Sequence, residues 1–342
     1  MTVLVTGGSG LVGSHVITAL VARGEPVRAL VRPAARAAVA ALGATAIDGD
    51  VTDAGAWARA AAGARAIVHA AALVAPNAPL DTFLAVNVGG TRHALAAARS
   101  TGARLVHVSS VAVYGRTAAD QGAAAGVAED FPFQKIWERD YYAQSKRRAE
   151  EAVWEEVARG GVAAVVIRPN VIYGEYDRLF SPRVVGAVRR GVVPQIGQGT
   201  NRLSCVYAGN VAAAIVLALD APAAAGRAYN TTDDGPDAFT QRGFVDAFAA
   251  ALDVRVRRVR VSYAVARFAA DAWARWRMLI KPGRYPGIGG SAVRFLAGQN
   301  PFAADRARRE LGWRPVVTPQ EAVRRTVEWV QQHGQTRTRP VT

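Results

Sequence analysis

Two groupings of residues in this 342-residue chain could do chemistry. The first is Tyr142 and Lys146, in the run Asp140-Tyr141-Tyr142-Ala143-Gln144-Ser145-Lys146. On a helix, residues four apart share a face. A phenol titrates near pH 10, too high for a base at neutrality. A neighbouring ammonium favours the phenolate and lowers that value. Such a pair can move a proton to or from an alcohol or carbonyl oxygen while hydride is exchanged with a nicotinamide. The second grouping is Gly7, Gly10 and Gly13, within Val3-Leu4-Val5-Thr6-Gly7-Gly8-Ser9-Gly10-Leu11-Val12-Gly13-Ser14. Gly7 permits a tight turn, Gly10 lets a pyrophosphate approach the backbone, and Gly13 lets a helix pack close to the strand. Free N–H groups at the helix start then face the anion.

Either pattern alone is common; the elements around them supply the specificity. Val3 to Val5 reads as a buried parallel strand, and the apolar period from Val16 to Val21 starts a helix. A second strand, Pro26 to Val31, ends at Arg32. Arginine at that strand end accommodates a ribose 2′-phosphate, whereas an acid would hold the 2′-hydroxyl. With Arg36 a turn further on and no carboxylate nearby, the pair favours NADP(H) over NAD(H); the plainer alternative is two solvated arginines. A short helix (Ala34 to Leu42), a third strand (Ala44 to Ile47) and Gly49-Asp50-Val51 follow. Asp50 stands at a strand's carboxyl end, where ligands gather in open parallel sheets, or serves only as a helix cap. A fourth strand, Ala66 to His69, runs into Ala70-Ala71-Ala72, small enough for a flat ligand to lie on the backbone; His69 reads as a core histidine. A long helix from Asp81 to Ser100 carries Asn87. The fifth strand, Arg104 to Val108, ends in Ser109-Ser110. Ala118 to Ala128 reads as a loop over the site. The sixth strand, Ala163 to Ile167, runs into Arg168-Pro169-Asn170. Later signals are a helix near Arg183 to Arg190, a strand at Ser204 to Tyr207, and helices over Asn210 to Leu219 and Thr318 to Gln332.

Composition narrows the function classes. With 51% hydrophobic and 20% charged residues the chain is globular, not disordered. One cysteine, Cys205, excludes an internal disulfide framework and suits a reducing cytoplasm. No apolar run reaches the roughly 18 residues of a membrane span, and no secretory leader is evident. The net charge of +15 comes almost entirely from scattered arginines, with only Lys135, Lys146 and Lys281 as lysines, so it does not form a nucleic-acid footprint. The five histidines are dispersed and no metal constellation stands out. Between Val265 and Ile280, Val265, Phe268, Ala269, Ala272, Trp276 and Leu279 share one helical face. That pattern reads first as a lid helix packing its apolar face on the core; the sharper alternative is a basic amphipathic helix touching a membrane or admitting a greasy substrate.

Together these residues resemble the extended short-chain dehydrogenase/reductase family over nearly the whole chain. Thr6-Gly7 to Gly13 resembles its cofactor turn, Gly49-Asp50-Val51 its adenine clamp, and His69 to Ala72 the loop under the cofactor. Ser110, Tyr142 and Lys146 align with its catalytic serine, tyrosine and lysine; Arg168 to Gly174 and Arg308 to Pro315 match later landmarks. The resemblance implies a doubly wound parallel α/β Rossmann sheet over 1–170, completed by about 204–232, with a smaller substrate lobe from 171–203 and 233–342, and a homodimer. It implies cofactor contacts from Gly7, Ser9, Gly10, Leu11, Val12, Arg32, Asp50, Val51, Ala70, Ala71, Ala72, Asn87, Tyr142, Lys146 and Pro169. Within the family, the stretch Gly197 to Asn210 is closer to the 3β-hydroxysteroid dehydrogenase and dihydroflavonol reductase branch. Nucleotide-sugar epimerases and dehydratases usually carry asparagine where Val171 stands and aspartate where Asn210 stands, although Arg202 could hold a sugar-nucleotide phosphate.

The reading is therefore an NADP(H)-dependent oxidoreductase of a sizeable apolar ketone or secondary alcohol. Tyr142 is the acid/base, Lys146 lowers its pKa, and Ser110 holds the substrate oxygen, with Ser109 as the alternative. An epimerase or dehydratase with tightly bound NAD is the second reading. A redox-sensing regulator that binds NADP without chemistry is the third, disfavoured by the intact Tyr142/Lys146 pair.

Overall fold

The computed structural model describes residues 2–74, 78–115, 126–280 and 290–333. Its strands, in chain order, are β1 (Thr2–Thr6), β2 (Val27–Val31), β3 (Thr45–Asp48), β4 (Ala64–His69), β5 (Arg104–Val108), β6 (Ala164–Pro169), β7 (Val171–Tyr173), β8 (Val192–Ile196), β9 (Cys205–Tyr207), β10 (Arg227–Thr231) and β11 (Arg257–Val261). Seven of them form one sheet in the order β10-β6-β5-β4-β1-β2-β3, every pairing parallel. Parallel strands buried on both faces need apolar residues at every position, and β1 supplies them. Val3 and Val5 enter one core layer while Leu4, between them, enters the other, all fully buried. Helices Leu11–Ala22 and Ala208–Asp220 pack together against the first face. Helices Ala54–Ala61, Gly90–Thr101 and Tyr141–Ala158 contribute to the second. This is a doubly wound Rossmann-like sheet. The chain reverses its winding between β1 and β4, so the carboxyl ends of those two strands open a crevice.

A separate apolar cluster gathers Tyr173, Phe244, Phe248, Ala322, Val323, Val327 and Val330. Beside it lie three elements that the amino-acid pattern does not signal: β8 pairs in parallel with β11, and helix Gln241–Ala251 lies between them in the chain. The helix expected from Asp81 to Ser100 runs from Leu80 to Thr101 with one wide π-helical stretch, Leu84–Gly89, around Asn87. The loop expected at Ala118 to Ala128 lies outside the described residues up to position 125. Beyond it, Val127 is held by Ala303, whose N–H donates to its carbonyl at 3.0 Å.

Helix Tyr263–Ile280 corrects one expectation outright. Its apolar face does not pack on the core: Phe268 is 76% exposed and Leu279 81%, while the half-buried residues include Ala266, Arg267, Ala270 and Asp271 on the opposite side. The helix presents the flank bearing Arg267 and Asp271 to the protein and its aromatic stripe outward. Among the described residues no helix is long and apolar enough to cross a membrane, and no cluster of His, Cys, Asp or Glu could hold a metal ion.

Candidate active site

The glycine turn forms at the carboxyl end of β1. Gly7 adopts φ +71°, which disfavours any side chain, and a Cβ there would sit 2.8 Å from the Ala71 nitrogen. The Ala71 N–H in turn donates to Thr6 Oγ1 at 3.2 Å, so the Thr6 hydroxyl ties the end of β1 to the Ala70–Ala72 segment. A Cβ on Gly13 would overlap the Gly7 carbonyl. Helix Leu11–Ala22 starts at Gly10 with no side-chain cap, which leaves first-turn N–H groups for an anion. A bare backbone cradle beside an uncapped helix start fits the pyrophosphate of a dinucleotide, and Ser9, Leu11 and Val12 stand around it.

Ser110, Tyr142 and Lys146 converge at the end of β5. Ser110 caps the short turn Val111–Tyr114, its Oγ accepting from the Ala112 N–H at 3.2 Å, and it lies near enough to the Tyr142 phenol to favour the ionised form. Ser109 faces the other way and donates to Glu150 Oε2 at 2.6 Å. The ambiguity between the two serines thus resolves geometrically to Ser110 as the neighbour of Tyr142. Tyr142 lies in the first turn of helix Tyr141–Ala158, which Asp140 caps by accepting from the Ala143 N–H at 3.0 Å.

The electrostatics differ from the expectation in one respect. Burial pushes the Tyr142 phenol above its ordinary value, the Ser110 hydroxyl offsets part of that rise, and Asp140 adds to it. Lys146 does not hold the phenol down, because its ammonium points into the sheet and donates to the Val108 carbonyl at 2.5 Å. Burial brings Lys146 itself down to about 8, with Glu150 working against the fall. At neutral pH this arrangement holds a protonated phenol, a proton donor ready for a carbonyl oxygen, one helical turn from a cation.

Beneath that pair lies a network that the sequence motifs do not announce. Glu150, fully buried, forms an ion pair with Arg168 at 2.5 Å, accepts from Ser109, and accepts from Trp154 Nε1 at 3.0 Å. Arg168 also donates to Tyr114 Oη at 2.7 Å and to the Glu129 carbonyl at 2.9 Å. The available signal was periodicity: Glu150 lies four residues after Lys146 and eight after Tyr142, on the same stripe of the helix.

His69 and His107 are cross-strand partners at the ends of β4 and β5, both buried, with ring centroids 5.7 Å apart. His69 Nδ1 shares a hydrogen bond with Thr6 Oγ1 at 2.8 Å. Burial, then the charge of Lys146, lowers His69 to about 3 and holds His107 well below its ordinary value. The native protein therefore refuses protons that the unfolded chain accepts below about pH 6.5. Below about pH 6.5 each histidine should cost roughly 1.4 kcal/mol of stability per pH unit until its own lowered value is reached, about 3 for His69. Urea melts at pH 7 and pH 5 should differ by more than 2 kcal/mol; equal midpoints would mean that the rings are not held neutral.

The remaining expected residues fall as follows. Arg32 is exposed at the end of β2. Arg36, however, forms an ion pair with Asp48, the last residue of β3 and the register partner of Val31. A carboxylate does stand near the two arginines, contrary to expectation, because strand pairing brings it there. Asp50 accepts from the Thr52 N–H at 3.0 Å and hydroxyl at 2.8 Å, the local-turn role. The half-buried Val51 packs against Gly90, and the Val51 carbonyl accepts from Trp57 Nε1 at 2.9 Å. Asn87 is committed to protein partners: its Oδ1 accepts from the Leu73 N–H at 2.7 Å, and its Nδ2 donates to Ser145 Oγ at 2.9 Å and to the Leu73 carbonyl at 3.2 Å. It ties the segment after Ala72 to the helix of Tyr142. Pro169 is buried at the end of β6. Asn210 is a staple for the C-terminal segment, its Oδ1 accepting from the Val316 and Val317 N–H groups at 2.8 and 3.0 Å. Arg202 donates to the Pro236 carbonyl at 2.9 Å and lines a cavity of about 230 Å³ with Asp233, Phe302 and Arg308, which none of Ser110, Tyr142 and Lys146 lines.

A seven-stranded parallel sheet with this glycine turn and this Ser–Tyr–Lys cluster defines an extended short-chain dehydrogenase/reductase. The chain belongs to the 3-beta hydroxysteroid dehydrogenase/isomerase family, whose model matches residues 4–262. It is 35% identical over 329 residues, 94% of this chain and 95% of the relative, to a 4-hydroxy-2-methyl-3-oxo-4-farnesyl-3,4-dihydroquinoline-1-oxide ketoreductase of Stigmatella aurantiaca. It is 31% identical to the 2-alkyl-3-oxoalkanoate reductase of Stenotrophomonas maltophilia (95% of this chain, 98% of the relative) and 31% identical to a 3 beta-hydroxysteroid dehydrogenase/Delta 5-->4-isomerase of Mycobacterium tuberculosis (94% and 88%). The fold superposes with TM-score 0.72 on the dTDP-glucose 4,6-dehydratase DesIV of Streptomyces venezuelae, solved with NAD and TYD, at 25% identity and 98% coverage of each chain. The protein is an enzyme acting on CH–OH groups of a small molecule, an oxidoreductase of the ketone/alcohol type that uses a nicotinamide cofactor.

Proposed function

We propose that this enzyme is an NADP(H)-dependent ketoreductase that interconverts a ketone and a secondary alcohol on a sizeable, largely apolar substrate. The observation that carries the reading is the half-buried, protonated Tyr142 phenol, under the influence of Ser110 and one helical turn from Lys146. In the reducing direction Tyr142 donates its proton to the substrate oxygen as that oxygen becomes alkoxide, and takes one back in the oxidising direction. Ser110 donates a hydrogen bond to the same oxygen and stabilises the charge that develops on it. Lys146, one helical turn from Tyr142, would favour the ionised phenol after proton transfer by releasing the Val108 carbonyl, to which its ammonium donates in the resting site. The nicotinamide, when bound, supplies or accepts the hydride. The residues that would hold the dinucleotide are the backbone of Gly7 to Val12, Asp50 and Val51, Ala70 to Ala72, Tyr142, Lys146 and Pro169, with Asn87 positioning the segment that follows. The lobe built from 171–203 and 233–342 would hold the substrate. The named substrates of the ketoreductase relatives support an apolar one.

The preference for NADP(H) rests on Arg32, exposed at the end of β2 and free of the Arg36–Asp48 pair. A charge-assisted contact to a 2′-phosphate is worth about 1.5 kcal/mol or more. Arg32→Ala should therefore weaken NADPH binding about tenfold and leave NADH binding within twofold, read by fluorescence titration. Equal loss for both cofactors would remove Arg32 from this role.

A second reading, a nucleotide-sugar epimerase or dehydratase holding NAD tightly, is supported by the likeness to DesIV. It predicts NAD that survives purification and turnover without added cofactor. The position of Arg202, in a cavity that the Ser–Tyr–Lys cluster does not line, counts against it.

A further inference from the structure

The outward face of helix Tyr263–Ile280 has no partner in the fold and no place in the chemistry above. Val265, Phe268, Trp273, Trp276, Leu279 and Ile280 are between 47% and 81% exposed. At 100° per residue they fall within one stripe along a helix five turns long. Trp273 and Trp276 lie against each other, ring centroids 5.0 Å apart, on the surface. A contiguous apolar patch of this kind on a water-soluble monomer marks an interaction site.

We propose that this helix docks the enzyme onto an anionic lipid bilayer, lying in the plane of the headgroups with the stripe buried among the upper acyl chains. Charge complementarity selects this occupant. Arg275 is exposed at the edge of the stripe, and the chain enters the helix from β11, whose Arg257 and Arg260 are also exposed. The protein as a whole carries +15. A second copy seated on the same face would bring these cations against their equivalents, whereas acidic headgroups would attract them. Tryptophan is the side chain suited to that depth, with an apolar ring and a polar N–H at one edge. An amphipathic helix with aromatic residues on one face and arginine beside it has the composition of an interfacial anchor. The docked helix also contacts helix Gly290–Ala297, whose Phe295 meets Phe180 edge-on at 5.7 Å, in the segment after β7. The bilayer surface is thereby linked through two packed contacts to the region past the carboxyl end of β6, where an apolar substrate leaving the membrane would arrive.

The test is sedimentation of the full chain with vesicles of phosphatidylcholine alone and of phosphatidylcholine mixed with phosphatidylglycerol, whose negative surface potential attracts basic segments, with size-exclusion chromatography run alongside. The wild type should bind the acidic vesicles at least tenfold more tightly than the neutral ones, lose that binding in high salt, and shift its tryptophan emission to the blue. Phe268→Glu and Leu279→Glu, both at largely exposed positions, should each reduce binding more than tenfold while turnover on a water-soluble ketone stays within twofold. Absence of vesicle binding by the wild type overturns the proposal, as does unchanged binding by both variants. Variants that convert a dimer to a monomer show that a second copy covers the face, which also overturns it. None of these outcomes depends on which substrate the active site takes.

Discussion

Tyr142→Phe should lower kcat for ketone reduction by about 10³-fold, roughly 4 kcal/mol of transition-state stabilisation, with NADPH affinity changed less than threefold. The substitution removes one oxygen and nothing else. Phenylalanine fills the same half-buried position, keeps the ring in the first helical turn, and leaves the Asp140 cap intact. What disappears is the proton donor and the hydroxyl that faces Ser110. Because burial holds the phenol above its ordinary value, the wild type should be fully protonated at pH 7 and need no acid limb in that range. Turnover of the variant near the wild-type rate would sink the assignment and leave Ser110 or water as the donor. A comparable fall in cofactor affinity would mean that the phenol chiefly binds dinucleotide.

Arg168→Met should be the most destabilising single change near the site, by about 3–5 kcal/mol, because it leaves the carboxylate of Glu150 buried and without its cation. Ser109 and Trp154 would remain as donors, which softens the loss but supplies no charge. Replacing both partners, Arg168→Met with Glu150→Leu, should recover most of that stability, since a buried pair exchanged for apolar volume is often neutral. Activity should not recover in parallel. Glu150 raises Lys146 against the effect of burial, which alone carries it below about 8. Without Glu150 the ammonium should deprotonate at lower pH, so the alkaline limb of kcat, expected near pH 8 in the wild type, should move down by about one unit. Denaturant melts and a pH–rate profile read the two effects separately. A double variant that regains stability and keeps the wild-type profile would show that the ion pair serves packing alone.

The order of elements was legible from the chain because its signals are local. β1, β2, β4, β5 and β6 are short runs rich in Val, Ile, Leu and Ala with glycine, proline or small residues at their ends, and a run buried on both faces can be little else. The glycine turn was equally legible, since backbone conformation at Gly7 and close approach at Gly13 both forbid side chains. β8 and β11 were not legible: each is short, half-exposed and interrupted by proline or arginine, and their pairing joins residues some sixty positions apart. The outward turn of helix Tyr263–Ile280 was hidden for a related reason. Periodicity shows that an apolar face exists and says nothing about which way it points.

Composition and spacing alone therefore determined the class of fold, the glycine turn and the Tyr142/Lys146 pair, because each rests on residues within a few positions of one another. Only tertiary structure decided that Ser110 and not Ser109 meets Tyr142, that Lys146 spends its ammonium on the Val108 carbonyl, that Asp48 neutralises Arg36, and that Glu150 and Arg168 form one buried pair. Those facts depend on burial and on strand register. Both set the local dielectric and the neighbouring charges, and neither is written in the order of residues along a single element.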